Sequence, residues 1–261
     1  MSELLLDIQH VEICYNGRPV VHDVSLQMEP GEIMGIVGES GSGKSTLIKA
    51  AMGLLGDSGA VTKGDIYYKG QNVVDADSHA LRKMRGPAMG MIFQNTESSL
   101  CPIRKIEDQL YESVSQHEKV TRNEVRERAL DLFAHMRLTD GRRILNSYPF
   151  ELSGGMNQRV GIMMAMILKP DLLFADEPTS ALDVTVQAQV VKEMMKMREL
   201  YGTGIVIVTH NIGVVEYMAD KAAVMHEGNL VEYGRKEEII LHPQKDYTKR
   251  LIGAVMRINR G

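Results

Sequence analysis

Nine consecutive residues constrain this chain more than any other feature: Gly38, Glu39, Ser40, Gly41, Ser42, Gly43, Lys44, Ser45 and Thr46. They match GxxxxGK[ST], a pattern with mechanical meaning only where a strand precedes it and a helix follows. Both conditions hold. The residues before it, Ile33–Val37, form a short unbroken apolar run, and residues 45–54 read as a helix. In that setting the glycines let the backbone wrap closely around phosphate oxygens. Successive N–H groups and the helix N-terminus supply positive potential. Lys44 then reaches β- and γ-phosphates, and the Ser45 hydroxyl ligates Mg²⁺.

The rest of the chain has to build a sheet that can present such a loop. Apolar, β-branched segments recur at residues 4–8, 23–28, 33–37, 66–68, 89–93, 172–175 and 205–208. Several are bounded by Gly or charge, as strands buried on both faces of a parallel sheet are. Helical patterns lie between them. Val186, Val190, Met194 and Met197 share one face of a helix from Val184 to Leu200. Thr121-Arg-Asn-Glu124 is a capping box opening a helix with an apolar face of Val125, Ala129, Leu132, Phe133 and Met136. This alternation predicts an α/β fold with a mostly parallel sheet. Between Phe93 and Leu172 nearly everything reads as helix or loop, so an inserted helical lobe is expected at residues 95–168. The nucleotide-binding core is then 1–94 and 169–261, and a tail runs from 242 to 261.

Two acids end one of the strands, in Leu172-Leu-Phe-Ala-Asp-Glu177. In a phosphate-loop protein Asp176 holds the Mg²⁺ shell, and Glu177 is placed to orient or deprotonate the attacking water. A second phosphate-binding device follows from Ser153-Gly154-Gly155, where Ser153 is a natural N-cap ahead of an apolar helix. One chain seldom needs two cradles for one nucleotide. The net charge of −4 with no long basic run argues against nucleic acid as a partner. Cys14 and Cys101 lie far apart, so neither a disulfide framework nor a zinc site is indicated, and a reducing compartment is expected. The N-terminus lacks a signal-peptide pattern, and no apolar stretch approaches the roughly 20 residues of a spanning helix. The clustered methionines (18 in all) read as core packing rather than a metal box.

Leu152-Ser-Gly-Gly-Met-Asn-Gln-Arg159 resembles the LSGGQ-like signature of the ABC ATPases, and the remaining motifs follow in that family's order. The resemblance implies a P-loop NTPase fold with a RecA-like sheet, an N-terminal antiparallel β subdomain and an inserted α-helical subdomain. It implies ATP and Mg²⁺ as cofactors and a nucleotide-sandwich dimer, in which Ser153, Gly154 and Gly155 cap the γ-phosphate on the partner's loop. Gln94 matches the Q-loop glutamine that touches Mg²⁺ and senses a membrane partner. Ser180-Ala-Leu-Asp183 matches the D-loop at the dimer interface, His210 the switch histidine on the γ-phosphate, and Tyr15 the aromatic that stacks on adenine. Lys44, Glu177, Ser153 and His210 are all intact, so nothing marks a non-hydrolysing half.

The wording around the motifs is similar to the ATPase subunits of oligopeptide, dipeptide and nickel importers. Phe93-Gln-Asn-Thr-Glu-Ser-Ser-Leu-Cys-Pro102 resembles that group's FQ…LNP stretch, with Cys101 where Asn is usual. The tail His242-Pro-Gln-Lys-Asp-Tyr-Thr248 resembles its HPYT motif, with three residues inserted after Pro243. The sequence lacks the cysteine-rich extension of many peptide-importer ATPases, which leans toward nickel or metal-chelate cargo and leaves di- or oligopeptides as the other expected class. The expected partners are a second ABC ATPase subunit, paralogue or self, two transmembrane permeases and, indirectly, a solute-binding protein. The expected location is the cytoplasmic face of the cell membrane, peripherally bound. Rival readings are a soluble ABC ATPase of translation or repair, an ATPase-like component of a phosphonate-degradation complex, and a P-loop kinase.

Overall fold

The computed structural model describes residues 4–180 and 182–258. Residues 1–3, Ala181 of the expected D-loop and 259–261 of the expected tail lie outside it. Strands β1 (Leu6–Tyr15), β2 (Arg18–Met28), β3 (Ile33–Val37), β4 (Gly59–Tyr68), β5 (Gln71–Asn72), β6 (Met89–Ile92), β7 (Leu172–Asp176), β8 (Gly204–Thr209), β9 (Lys221–His226) and β10 (Asn229–Arg235) form one sheet. Its order is β5-β4-β1-β2-β10-β9-β3-β8-β7-β6. The span β9-β3-β8-β7-β6 is parallel, whereas β5-β4-β1-β2 is antiparallel and β10 runs antiparallel to β9. The α/β class, the RecA-like parallel centre and the antiparallel N-terminal strands are thus as expected.

Helices α1 (Lys44–Ala51) and α2 (Ser78–Met84) precede β6. Between β6 and β7 come α3 (Thr96–Ser99), α4 (Ile106–Ser115), α5 (Arg122–His135), α6 (Gly141–Asn146) and α7 (Gly154–Met166), with one 3₁₀ turn and no strand among the described residues. Helices α8 (Val184–Tyr201), α9 (Ile212–Met218), α10 (Lys236–Leu241) and α11 (Asp246–Ile258) complete the fold. The capping box forms as written: Thr121 accepts from the Glu124 N–H, and Glu124 accepts from the Thr121 N–H at 2.7 Å.

Alternation along the central strands divides the core into two layers. Ile33 and Val37 pack with the helical lobe, α8 and α9, while Met34 and Ile36 pack with α1 and the antiparallel strands. Every residue of β3, β7 and β8 is buried, which explains their unbroken apolar runs. Met163, Met166, Met194 and Met197 are core residues of the first layer, in agreement with a packing role.

The sheet differs from expectation in several places: β4 begins at Gly59 rather than Ile66, and β5 was not expected. β1 continues to Tyr15 and β2 begins at Arg18, because Asn16 and Gly17 (φ 49° and 74°) make a tight hairpin turn. β9 and β10 were not anticipated. They also meet in a turn with two positive-φ residues, Glu227 and Gly228. The small residues of β9, Ala222 and Ala223, weakened the strand pattern there.

Candidate nucleotide site

The parallel register delivers the candidate residues to one edge. Val37 pairs with Thr209, Asp176 with Val208, and Ile92 with Ala175, so four strand C-termini end side by side. That edge is where open α/β sheets bind ligands. The phosphate loop leaves β3 and enters α1 through Gly43, a left-handed N-cap (φ 93°) with no side-chain cap and no acid in the following turn. Its first N–H groups therefore have no side-chain partner, an arrangement suited to an anion. Glycine is required at Gly38 because a Cβ there would lie 2.1 Å from the Met225 carbonyl oxygen.

Lys44 is buried, and its ammonium donates to the Gly38 carbonyl (2.9 Å), the Glu39 carbonyl (2.6 Å) and Ser42 Oγ (3.2 Å). Burial lowers its pKa against the opposing pull of Glu177, Asp176 and Glu39. The cation is thus held by three oxygens of its own loop, which phosphate oxygens can replace.

Ser45 Oγ donates to Asp176 Oδ1 at 2.6 Å. Asp176 is 5% exposed, and burial raises its carboxyl pKa despite the Ser45 hydrogen bond and the nearby Lys49 and Lys44. A buried carboxylate beside a hydroxyl, at the foot of an uncapped helix, is an oxygen donor set that fits Mg²⁺. When bound there, the metal supplies positive charge that neutralises the β- and γ-phosphates. Gln94 approaches from the end of β6, and its Nε2 donates to Glu177 Oε2 at 3.3 Å.

Glu177 sits at φ 44°, a left-handed conformation unfavourable for a residue with a Cβ. The turn is fixed by its N–H donating to the Val208 carbonyl at 2.8 Å. Oε2 of Glu177 lies 3.4 Å from Nδ1 of His210, whose side chain is 61% exposed. One carboxylate oxygen thus meets both a glutamine and an exposed imidazole, which leaves Oε1 to orient a water molecule.

Other expected site residues sit on other elements. Ser153 caps α7, accepting from the Met156 N–H at 3.3 Å, and a Cβ on Gly154 would meet nothing within 4 Å. Asp183 is the N-cap of α8, accepting from the Thr185 and Val186 N–H groups at 3.0 Å each. Tyr15 is half-buried beside Gly59, at the end of the β1–β2 hairpin that touches the loop through Val20, Val21 and Gly43.

The bracing roles of several residues, some of them inside the motif stretches, were not read from the sequence. Gln187 donates to Thr179 Oγ1 at 3.0 Å and accepts from Asn211 Nδ2 at 3.4 Å, bracing the residue after His210. Thr96 donates to Gln158 Oε1 at 2.7 Å, tying the segment after Gln94 to the signature helix.

The ABC transporter family pattern matches residues 21–180, a span that includes the phosphate loop, Gln94, Ser153 and the Asp176–Glu177 pair. The chain belongs to the ABC transporter family. It is 40% identical over 239 residues to the oligopeptide transport ATP-binding protein AmiE of Streptococcus pneumoniae, covering 91% of this chain and 67% of that protein. It is 40% identical over 263 residues to the dipeptide transport ATP-binding protein DppD of Lactococcus lactis, covering 99% and 75%. Among solved structures, the ATP-binding cassette MJ0796, a dimer in a post-hydrolysis state with ADP and Pi, superimposes with a TM-score of 0.77 at 27% identity. That match covers 88% of this chain and 98% of the cassette. The protein is therefore an ABC-type ATPase and the ATP-binding subunit of a transporter. Among the described residues no helix is long and apolar enough to cross a membrane.

Proposed function

We propose that this subunit powers import of di- or oligopeptides, as one half of a nucleotide-sandwich dimer bound to two transmembrane subunits at the cytoplasmic face of the membrane. The observation that carries the reading is 40% identity, across nearly the whole chain, to subunits named for dipeptide and oligopeptide transport. Those names favour peptides over nickel or a metal chelate, the two cargo classes that the sequence alone left open. Lys44 and the free N–H groups of α1 bind the β- and γ-phosphates of ATP, with Ser45, Gln94 and Asp176 on the metal side. Glu177 positions water for in-line attack, and His210 reaches the γ-phosphate once it leaves Glu177. Ser153, Gly154 and Gly155 act on the partner's nucleotide, Asp183 holds the dimer-facing turn, and Tyr15 stacks on adenine. The helical lobe moves as the dimer closes. Exposed Phe93, directly before Gln94, and Ile103, in the segment from Gln94 to Leu110, give the membrane subunits an apolar contact.

Glu177→Gln removes the base while keeping the shape. It is expected to hydrolyse at least about a hundredfold more slowly and to run as an ATP-bound dimer in size-exclusion chromatography. Rapid turnover by that variant removes Glu177 from the mechanism. The complex reconstituted with its solute-binding protein is expected to show ATPase stimulation by short peptides. Stimulation by a nickel chelate alone replaces peptide with metal as cargo. Co-purification with soluble enzymes, and no integral membrane protein, favours the phosphonate-complex alternative.

A further inference from the structure

The peptide unit between Gly38 and Glu39 is gripped at both ends. Its carbonyl accepts from Lys44 at 2.9 Å, and its N–H donates to the Tyr247 hydroxyl at 3.3 Å. Tyr247 belongs to the first turn of α11, far from the loop in sequence. Its ring stacks on His226, with centroids 3.9 Å apart and planes 23° from parallel. His226 ends β9 directly after Met225, whose carbonyl leaves Gly38 no room for a side chain. In the following turn the Gly228 N–H donates to the Ser42 carbonyl at 3.2 Å. The loop is thus braced by residues 225–228 and tied to α11 by one phenol.

Two further features connect α11 to the loop. An apolar cavity under the helix is lined by Val37, Ile212, Val224, Ile240, Thr248 and Ile252, so the strand feeding the loop forms part of the helix's seat. The insertion after Pro243 is pinned as well, with the Gln244 N–H donating to Glu232 Oε1 at 2.7 Å. Burial raises the Tyr247 pKa, which keeps the phenol neutral at physiological pH.

A peptide that follows glycine turns more cheaply than most, because no Cβ on the glycine side opposes the rotation. The Lys44 ammonium has three donors, all spent on loop oxygens, so reaching a triphosphate draws it off part of the loop and weakens its hold on the carbonyl end. The tie at the other end is left in place. We propose that Tyr247 is a positioning residue for the phosphate loop: its hydroxyl holds the Gly38–Glu39 peptide in the binding orientation and makes ATP affinity depend on α11 being docked. The gain is one of preorganisation.

The inference rests on Lys44 marking the ATP site, and the test separates the two claims. Mg-ATP binding is measured by titration calorimetry on the full chain for wild type, Tyr247→Phe, Tyr247→Leu and Lys44→Ala, with thermal melting of each. Tyr247→Phe keeps the stack and loses only the hydroxyl. It is expected to weaken Mg-ATP about two- to tenfold, the range for one lost hydrogen bond, with the nucleotide-free melting temperature unchanged. In the assembled transporter, KM for ATP rises by that factor while kcat stays within about twofold. Tyr247→Leu is expected to lower the melting temperature in addition. If Lys44→Ala abolishes binding and Tyr247→Phe binds ATP like wild type, Tyr247 only packs and the proposal is overturned. A fall in kcat at unchanged KM also overturns it. If Lys44→Ala binds normally, the site itself is misplaced and the proposal falls with it.

Discussion

Replacing Asp176 by Asn tests whether this carboxylate exists for a cation or for the fold, because the two roles predict opposite signs. The side chain is 5% exposed and accepts from Ser45 Oγ at 2.6 Å, a bond the amide oxygen of Asn can keep. Burial raises the pKa of Asp176 above the ordinary carboxylate value, outweighing Ser45, Lys49 and Lys44. A carboxyl whose folded pKa is raised adds stability below its unfolded pKa, and that stability is lost as pH rises through the folded value. At pH 7 the ionised group therefore works against the nucleotide-free fold. Removing a buried charge of this kind is neutral or favourable by about 1 kcal/mol, or about 2–4 °C in melting temperature for a domain of this size. With nucleotide the order reverses. Ligand at a hundred times its Kd stabilises the wild type by about 2.7 kcal/mol, and the variant loses the metal-dependent part of that gain. Calorimetric melts at pH 7 and pH 5, with and without Mg-ATP, read all of these terms. The nucleotide-free advantage of Asp176→Asn is expected to be smaller at pH 5 than at pH 7, because a raised pKa brings the wild-type group closer to its proton as pH falls. A variant that melts several degrees below wild type without nucleotide refutes the reasoning, as does an equal Mg-ATP shift in both proteins.

Two further substitutions probe the frame around the site. Gly38→Ala puts a methyl where the Met225 carbonyl oxygen is only 2.1 Å away, so the loop has to move. Mg-ATP affinity is expected to fall at least tenfold for about 1–3 kcal/mol of lost stability, measured by calorimetric binding and denaturant melts. Arg159 of α7 and Glu193 of α8 form a buried ion pair joining the signature helix to the helix behind Asp183. Glu193→Ala is expected to cost about 3–5 kcal/mol by stranding Arg159, whereas the double variant Arg159→Met, Glu193→Leu melts close to wild type.

The phosphate loop, the acid pair and the capped helices were legible because each is a local device whose residues lie within one turn. The buried strands were legible for a related reason: burial on both faces leaves an unbroken apolar run, as in β3, β7 and β8. β9 and β10 were not, since Ala222, Ala223 and the half-buried residues of β10 give little contrast between faces. Asn16-Gly17 was a turn signal that could have extended β1 to Tyr15. The Gln187 brace and the Tyr247 tie could not be read in advance. Each depends on a hydrogen bond between residues distant in sequence, Asn211 to Gln187 and Glu39 to Tyr247, set by where the fold places their elements.

The geometry also bears on why one chain carries two phosphate devices. Charge on a transferring phosphoryl group is stabilised best where water is excluded and the donors are already in place. Here Lys44, Ser45 and Asp176 satisfy that condition, being buried or half-buried at the strand ends. The side beyond Glu177 does not, because His210 is 61% exposed and water there weakens any contact it makes with a phosphoryl group. Among the described residues, Ser153 bonds within its own helix, and Gly154 faces open space. Such a helix start, donated by a second subunit, would cover the γ-phosphate, exclude water from His210 and add N–H donors of its own. Hydrolysis by an isolated chain is then expected to rise with the square of protein concentration well below the dimer Kd, and a linear dependence would place both cradles on one nucleotide.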